Sequence, residues 1–580
     1  MSRMKFVLAA LLITAIVGVV PQAHAQTAVP QVILAGSSAL WQAMALAAYN
    51  SGHCVSGATA PCFHYTAKNF NLSDERPTTK GGSTAIDLGN VWVVWDSSAS
   101  PKVWAFSKVD SGVGDRCYFA QPHCTINIAT FPAAGNLISS TLWGDSSSDS
   151  TPPASVTTLF TGGTPVSVNA AATDIRPEDA LFATCRANSK LGGGVDALAG
   201  LGYGANASGV CPAFGAALAD LEGSDILSGF PGSTSTAHIL AWSLSGKDPF
   251  TGTAIPAATT VSIGAAPVVF ITSRTGALKT LTNITDSEAH LAFGGTTCNA
   301  TAFGLAAGNI QVYLREPVSG TMNTTEYTVF RYKDFKGASQ EKGVAAQNPL
   351  SGQCTGGARH RAIGTSEEVS SVQNSNTNSG TDGIGYAFFS YGNVSAIADS
   401  ASFGYLTLNG IDGIFHKYGP SPAIDPGQPT TAGVLPSAAD LPASCSHAFP
   451  CPENKIWNGN LSFPNLRSGS YRAWSVLRIV SNGAALTAAN LLVSSSQNYA
   501  VNIVPDYVPA LRVAGNDPGL GLLRSHYTQE GVAPVNISLT GDKGGDAGGC
   551  ILFSSGSVGT SDTTSKLAQE APGDSCVQVP

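Results

Sequence analysis

The sequence predicts an α/β protein made of open lobes in which strands hand over to helices through small polar turns. Two observations carry this. Short apolar strands alternate along the 580 residues with stretches whose apolar residues recur at helical spacing. The turns between them are built of Ser, Thr, Gly and Asp and fall at strand C-termini, where open α/β sheets hold ligands.

The elements follow in order. "QVILAGSSALWQAMALAAYN" opens with an apolar strand at 32–34, then a Gly-Ser-Ser turn, then a helix with Leu40, Met44, Leu46 and Ala47 on or near one face. The N-terminus of such a helix offers free backbone N–H groups to an anion. "NVWVVWDSSASPKVWAFSKVD" reads as two strands joined by a Ser/Pro turn, and runs into "SGVGDR", a further small-residue turn. "TPVSVNAAATDIRPEDALFATC" gives a strand near 166–170, a polar turn at Thr173-Asp174, and a helix from Pro177 with acids in its first turn. Residues 186–250 are Gly-rich and read as an insertion.

"AAPVVFITS" at 265–273 is a buried strand, and "LTNITDSEAHLAFGG" a helix capped by Thr285 or Asp286. "NIQVYL" is a strand leading into "REPVSGT", and "NTTEYTVFRYKDF" the helix after it. "SGTDGIGYAFFSYG" at 379–392 is a strand with a Gly-rich approach. Residues 418–460, rich in Pro, read as a second insertion, "SYRAWSVLRIVS" at 470–481 as a strand, and 486–508 as one or two closing helices. From about 526 the chain is rich in Gly, Ser, Thr and Asp, as in a small terminal appendage.

The ends and the composition bound the function classes. "MSRMK", an apolar run and "PQAHA" have the form of a cleaved secretory signal over residues 1–25, with a mature chain from Gln26 in the periplasm or secreted. The net charge is −8; removing Arg3 and Lys5 with the signal takes it to −10. That argues against nucleic acid, which needs a basic face, and requires any anion site to work through local donors. Twelve cysteines, in an exported chain, favour disulfides. The simplest pairing joins sequence neighbours: Cys54/Cys62, Cys117/Cys124, Cys185/Cys211, Cys298/Cys354, Cys445/Cys451 and Cys550/Cys576. There is no C-x-x-C and no His-x-x-x-His, so no metal or other cofactor is expected. Trp92, Trp95 and Trp104 read as core or interface.

Four stretches in their order, "LAGSSALWQA", "NAAATDIRPEDA", "LREPVSGTMNTTEYTVF" and "GIGYAFFSYG", resemble the periplasmic phosphate-binding proteins of ABC transporters, a branch of the type II two-lobed solute-binding proteins. The resemblance covers about 30–525 and implies the type II fold with discontinuous lobes, loop insertions and a C-terminal appendage. Lobe I would take 27–265 and 393–525, lobe II 266–392, and the appendage 526–580. The chain is longer than a typical member. It has Ser38-Ala39 where the family has Thr followed by Phe, and two candidates for the second anion turn: "VDSGVGD" with Ser111, preferred here, or "KGGSTAID" with Ser83.

The implied ligand set is Ser38, Ala39, Ser111, Gly112, Asp174, Arg315, Ser319, Gly320 and Thr321, with no catalytic residue. Arg315 supplies a planar fork and a fixed charge. Ser319 and Thr321 supply hydroxyls, and Gly320 lets the backbone approach closely. Asp174 repels an anion unless the ligand brings a proton, as hydrogen phosphate does and sulfate does not. Each also has a plainer reading: a turn or helix cap for Ser-Gly-Thr, Asp174 and Ser111, and a surface position for Arg315. The expected function is capture of phosphate or a related oxyanion by a monomer that closes two lobes on it and serves an ABC transporter permease. The alternatives are an exported scaffold or surface protein keeping the fold without transport, and a phosphate-ester hydrolase, for which the sequence shows neither a nucleophile elbow nor a metal cluster.

Overall fold

The computed structural model describes residues 27–50, 62–70, 79–80, 83–84, 89–119, 123–128, 130–138, 143, 148–175, 259–315, 319–330, 340, 354, 356–362, 364–389, 402–413, 471 and 473–489. The elements in chain order are β1 (Val29–Ser37), α1 (Trp41–Asn50), β2 (Cys62–Phe70), the short β3 (Thr79–Lys80) and β4 (Ser83–Thr84), β5 (Gly89–Asp96), β6 (Lys102–Val109) and α2 (Ser111–Phe119). There follow β7 (Thr125–Ile126), α3 (Ala154–Thr161), β8 (Val166–Ser167), β9 (Ala170–Thr173), the long β10 (Thr259–Ser273), β11 (Asn283–Ile284), α4 (Asp286–Phe293) and β12 (Gln311–Arg315). Last come α5 (Gly320–Thr325), continued by a π turn (Glu326–Phe330), then β13 (Ala358–Ala362), α6 (Gly364–Gln373), α7 (Ser375–Ser379), β14 (Gly383–Phe388), β15 (Phe403–Leu408) and β16 (Trp474–Ser481).

The chain folds as two α/β lobes that share one strand. β10 changes partners along its length: residues 259–267 run antiparallel to β16, whereas residues 268–272 pair with β14 and 270–273 with β15. On one side of the change the order is β10-β16-β9-β1-β6-β5-β2; on the other it is β10-β14-β12-β13, with β15 on β10. The hydrogen-bond ladder is therefore continuous through β10, and the lobes are not separate sheets.

Within the first lobe β1 is parallel to both β6 and β9, and its residues Val32, Ile33, Leu34 and Ala35 are all fully buried. Alternation along the strand divides them: Val32 and Leu34 join the cluster that includes Leu40 and Met44 of α1, while Ile33 and Ala35 join that of Val113 and Cys117 of α2. Strand β1 reads as an unbroken apolar run because it is covered on both faces. At its end Gly36 has φ +138°, and a Cβ there would fall 1.9 Å from the Ala172 carbonyl oxygen, so only glycine lets β9 lie this close. In the second lobe α4 has a full capping box, Thr285 accepting from the Glu288 amide and Glu288 accepting from that of Thr285.

Several expectations shift. "SGVGDR" is not a turn but the first turns of α2, because Asp110 Oδ1 accepts from the Val113 amide at 2.9 Å and caps it. The helix after Arg315 begins at Gly320, earlier than the "NTTEY" start. The return to the first lobe does not come at 393: β15 is hydrogen-bonded to the second half of β10, so the chain is still in the second lobe at Leu408. Trp92, Trp95 and Trp104 are core residues, each at most 3% exposed. Cys117–Cys124 and Cys298–Cys354 are disulfides as expected from sequence neighbours, and Cys62 is disulfide-bonded. The signal segment 1–25, the helix from Pro177, the insertions at 186–250 and 418–460, most of 486–508, the appendage and the remaining cysteine pairs lie outside the described residues.

One buried carboxylate holds the loop after β10. Asp382 accepts from the amides of Thr275, Gly276 and Leu278, from the Thr275 hydroxyl, and from Asn376 Nδ2. Asp382→Ala should leave the buried Leu278 amide and the part-buried donors around it without this acceptor, and cost about 1–3 kcal/mol. A lowered denaturant midpoint checks this; an unchanged one would contradict it.

Candidate anion-binding site

Four helix starts meet where the lobes face each other, and each brings a hydroxyl. The turn from β1 into α1 is closed by Ser37, whose carbonyl accepts from Leu40 N and whose Oγ accepts from Ala39 N at 3.1 Å. The Ala39 amide is thus directed at Ser37. What reaches the second lobe is the Ser38 hydroxyl, 2.7 Å from Thr365 Oγ1 in the first turn of α6.

From the same lobe, Ser111 begins α2 and is 1% exposed, with Gly112 buried beside it. Ser111 Oγ accepts from the Asp174 amide at 3.1 Å, and the Ser475 hydroxyl donates to the Asp174 carbonyl. Thr173 Oγ1 donates to the Ile175 carbonyl at 2.6 Å, which closes the turn. These bonds fix the backbone of Asp174 and set its buried side chain, in a residue 2% exposed, against the second lobe. A Cβ on Gly320 would lie 2.4 Å from the Asp174 carboxyl carbon and 2.7 Å from Ser111 Oγ, so the start of α5 rests directly on both. Ser111 occupies this place; the rival Ser83 sits in β4, paired with β3 outside the large sheet.

Arg315 ends β12 and is 1% exposed. Its Nη1 donates to Thr321 Oγ1 at 3.1 Å and Thr365 Oγ1 at 3.2 Å. Thr365 therefore joins the guanidinium of one lobe to Ser38 of the other. Ser319 is buried and works as the cap of α5: its carbonyl accepts from Asn323 N at 3.0 Å and Nδ2 at 2.8 Å. Behind Arg315 stands a polar buttress. Its amide donates to Tyr386 Oη, Tyr386 donates in turn to Gln340 Oε1, and Arg361 donates to the Arg315 carbonyl at 2.7 Å and to the Gln340 carbonyl at 2.5 Å.

Ser38, Ser111, Asp174, Arg315, Gly320 and Thr321 are thus linked through direct contacts, with Ser319 in a capping role and the Ala39 amide turned inward. Sequence reasoning missed Thr365, Ser366 and Lys108. Lys108, the penultimate residue of β6, places Nζ 3.0 Å from Ser366 Oγ and 5.3 Å from the centre of the Trp41 ring. Desolvation and the nearby Arg315 charge lower its pKa to about 8. The "GTSEE" stretch, a glycine and two hydroxyl residues ahead of acids, was the available signal for the α6 start.

No protein-family profile and no curated protein matches the chain. Solved structures that resemble it include an ABC-type phosphate transport receptor from Vibrio cholerae, with 12% identity, TM-score 0.22, and coverage of 40% of this chain and 66% of that one. PstS from Borrelia burgdorferi has 16% identity, TM-score 0.23 and coverage of 42% and 69%. A high-affinity periplasmic phosphate-binding protein, PfluDING, solved with phosphate, has 12% identity, TM-score 0.32 and coverage of 90% and 100%. The chain thus spans less than two thirds of the Vibrio receptor and the whole length of PfluDING. The two-lobed assignment rests on the strand pairing above.

The close approach at Gly320 generates a prediction that needs no ligand. In Gly320→Ala the new methyl must push Asp174 and Ser111 away, so the lobes should stay apart. Solution scattering should show a larger radius of gyration, and amides at the start of α2 should exchange faster. An unchanged radius and exchange pattern would mean that the contact does not govern closure.

Proposed function

We propose that this chain is an exported solute-binding protein that captures phosphate or a related tetrahedral oxyanion between its lobes and delivers it to an ABC transporter permease, without catalysing a reaction. The observation that supports this best is the junction of Arg315, Thr321, Thr365 and Ser38, with Ser111 and Asp174 pressed against Gly320. It gathers a buried guanidinium, hydroxyls from both lobes and several helix starts in one closed place. Such a set is rich in donors for an anion. The carboxylate of the set, Asp174, suits a ligand that carries a proton of its own, and disfavours sulfate. The ligand set proposed is Ser38, Ser111, Gly112, Asp174, Arg315, Ser319, Gly320 and Thr321, with Thr365 added and Ala39 contributing through the turn it closes. The names of the structural neighbours, which bind or transport phosphate, agree with this reading.

Calorimetric titration of the chain from Gln26 with phosphate, arsenate and sulfate tests it: phosphate and arsenate should bind, and sulfate should bind far more weakly. Arg315→Ala removes a charged partner of a buried dianion, a loss on the order of 2–5 kcal/mol, and should weaken phosphate binding by at least about tenfold. Asp174→Asn should narrow the gap between phosphate and sulfate more than it lowers phosphate affinity. Parent-like phosphate binding by the Arg315 variant would exclude this site.

A further inference from the structure

Lys108 is the feature that the proposed phosphate set does not use. It is half-buried, and it stands at the end of β6 just before Asp110 and Ser111 open α2. Its Nζ donates to Ser366 Oγ at 3.0 Å, across the lobe boundary, and lies over the Trp41 ring. Thr365, the neighbour of Ser366, is the hydroxyl that touches both Arg315 and Ser38. Lys108 and Arg315 therefore flank the same first turn of α6, one from each lobe. They are close enough for the Arg315 charge to disfavour protonation of the amine.

Two like charges brought together at a partly dry junction repel unless an anion lies between them. Among the described residues none supplies that anion to Lys108. Of the elements packed around it, β1 and α1 carry no charged residue, and β5 carries only Asp96, at the end remote from Asn90, which is the residue opposite Lys108. Among the described residues the charged groups on the elements that meet there include Arg315 and Arg361, Asp110, Asp115 and Asp174, and Glu367 and Glu368 on α6. Asp110 caps α2, and Glu368 Oε1 accepts from the Tyr386 amide. Among the described residues no acid forms an ion pair with Lys108.

We infer that Lys108 is a second cation of the anion site, acting with Arg315 to favour a dianion over a monoanion. This rests on the oxyanion-capture reading above. The charge balance supports it: the proposed set holds one guanidinium, Arg315, and one carboxylate, Asp174, so a dianion there calls for a further positive group. The sign of the linkage follows. A bound dianion stabilises the protonated amine and raises its pKa, so binding near pH 8 takes up a proton, and affinity falls as pH rises through and above that value.

The test is titration with inorganic phosphate at pH 8, in two phosphate-free buffers of different ionisation enthalpy, on the parent, Lys108→Gln, Lys108→Arg and Ser366→Ala. The parent should take up roughly half a proton more than Lys108→Gln. Lys108→Gln should bind roughly tenfold more weakly, whereas Lys108→Arg should restore affinity without the extra proton. Ser366→Ala should stay within about twofold of the parent, since the hydroxyl only orients the amine. If Lys108→Gln binds phosphate like the parent with the same proton uptake, the inference is wrong while the oxyanion reading stands. If Ser366→Ala loses as much affinity as Lys108→Gln, Lys108 is an inter-lobe strap and not a ligand group, and the inference again falls. A parent that binds no phosphate overturns the oxyanion reading and this one with it.

Discussion

A guanidinium taken out of water is the constraint around which the second lobe is arranged. Arg315 is 1% exposed, and removing such a charge from solvent costs several kcal/mol unless its donors are met. Among the groups that meet them are the hydroxyls of Thr321 and Thr365, both on Nη1, while Tyr386 and Arg361 fix its backbone. Thr365 also touches Ser38 of the other lobe, so the guanidinium is held where the two lobes meet. That position supports a site more strongly than its burial alone.

The same junction depends on β10. This strand belongs to both lobes, and its change of partners at Pro267 and Val268 marks where one gives way to the other. Proline brings no amide to the ladder, and its carbonyl is used by Phe389 N at 2.8 Å. Across the junction Ser38 meets Thr365, Lys108 meets Ser366, and Gly320 lies on Asp174 and Ser111, while one buried apolar cluster draws residues from both lobes. Each polar contact of this kind is worth on the order of 1 kcal/mol net.

The sequence made some of this legible and hid the rest for identifiable reasons. β1, β5 and β6 were readable because both faces are covered, which writes them as apolar runs such as "VILA" and "VWVVW". Arg315 and the Ser-Gly-Thr after it stood out because they sit between a clear strand and a clear helix. β13 was missed because "ARHRA" reads as a charged surface segment, yet Arg359 and Arg361 are buried and pay out their donors to carbonyls; hydropathy patterns do not register burial achieved by hydrogen bonds. α2 was taken for a turn because Gly112 and Gly114 lower its helix propensity, while the Asp110 cap and the packing of Val113 and Cys117 against β1 override that. Lys108 gave no signal: one lysine at the end of an apolar strand reads as an ordinary solvated charge, and only the meeting of β6 with α6, more than 250 residues apart in sequence, shows what it faces.

The net charge of the chain makes the local arrangement matter more. A protein at −8 does not draw an anion by its overall field, so attraction must be built within a few ångströms. Three means coincide here. The starts of α1, α2, α5 and α6 come together, and a helix start carries a partial positive charge that falls off within a turn, although at α1 the amides of Ala39 and Leu40 are taken up by Ser37. Side-chain hydroxyls from Ser38, Ser111, Thr321 and Thr365 stand among them and can turn their protons toward an incoming oxygen. Arg315 and Lys108 stand on opposite lobes at the same first turn of α6. On the proposed reading an anion between them would offset their repulsion, so that closure and capture would be one event.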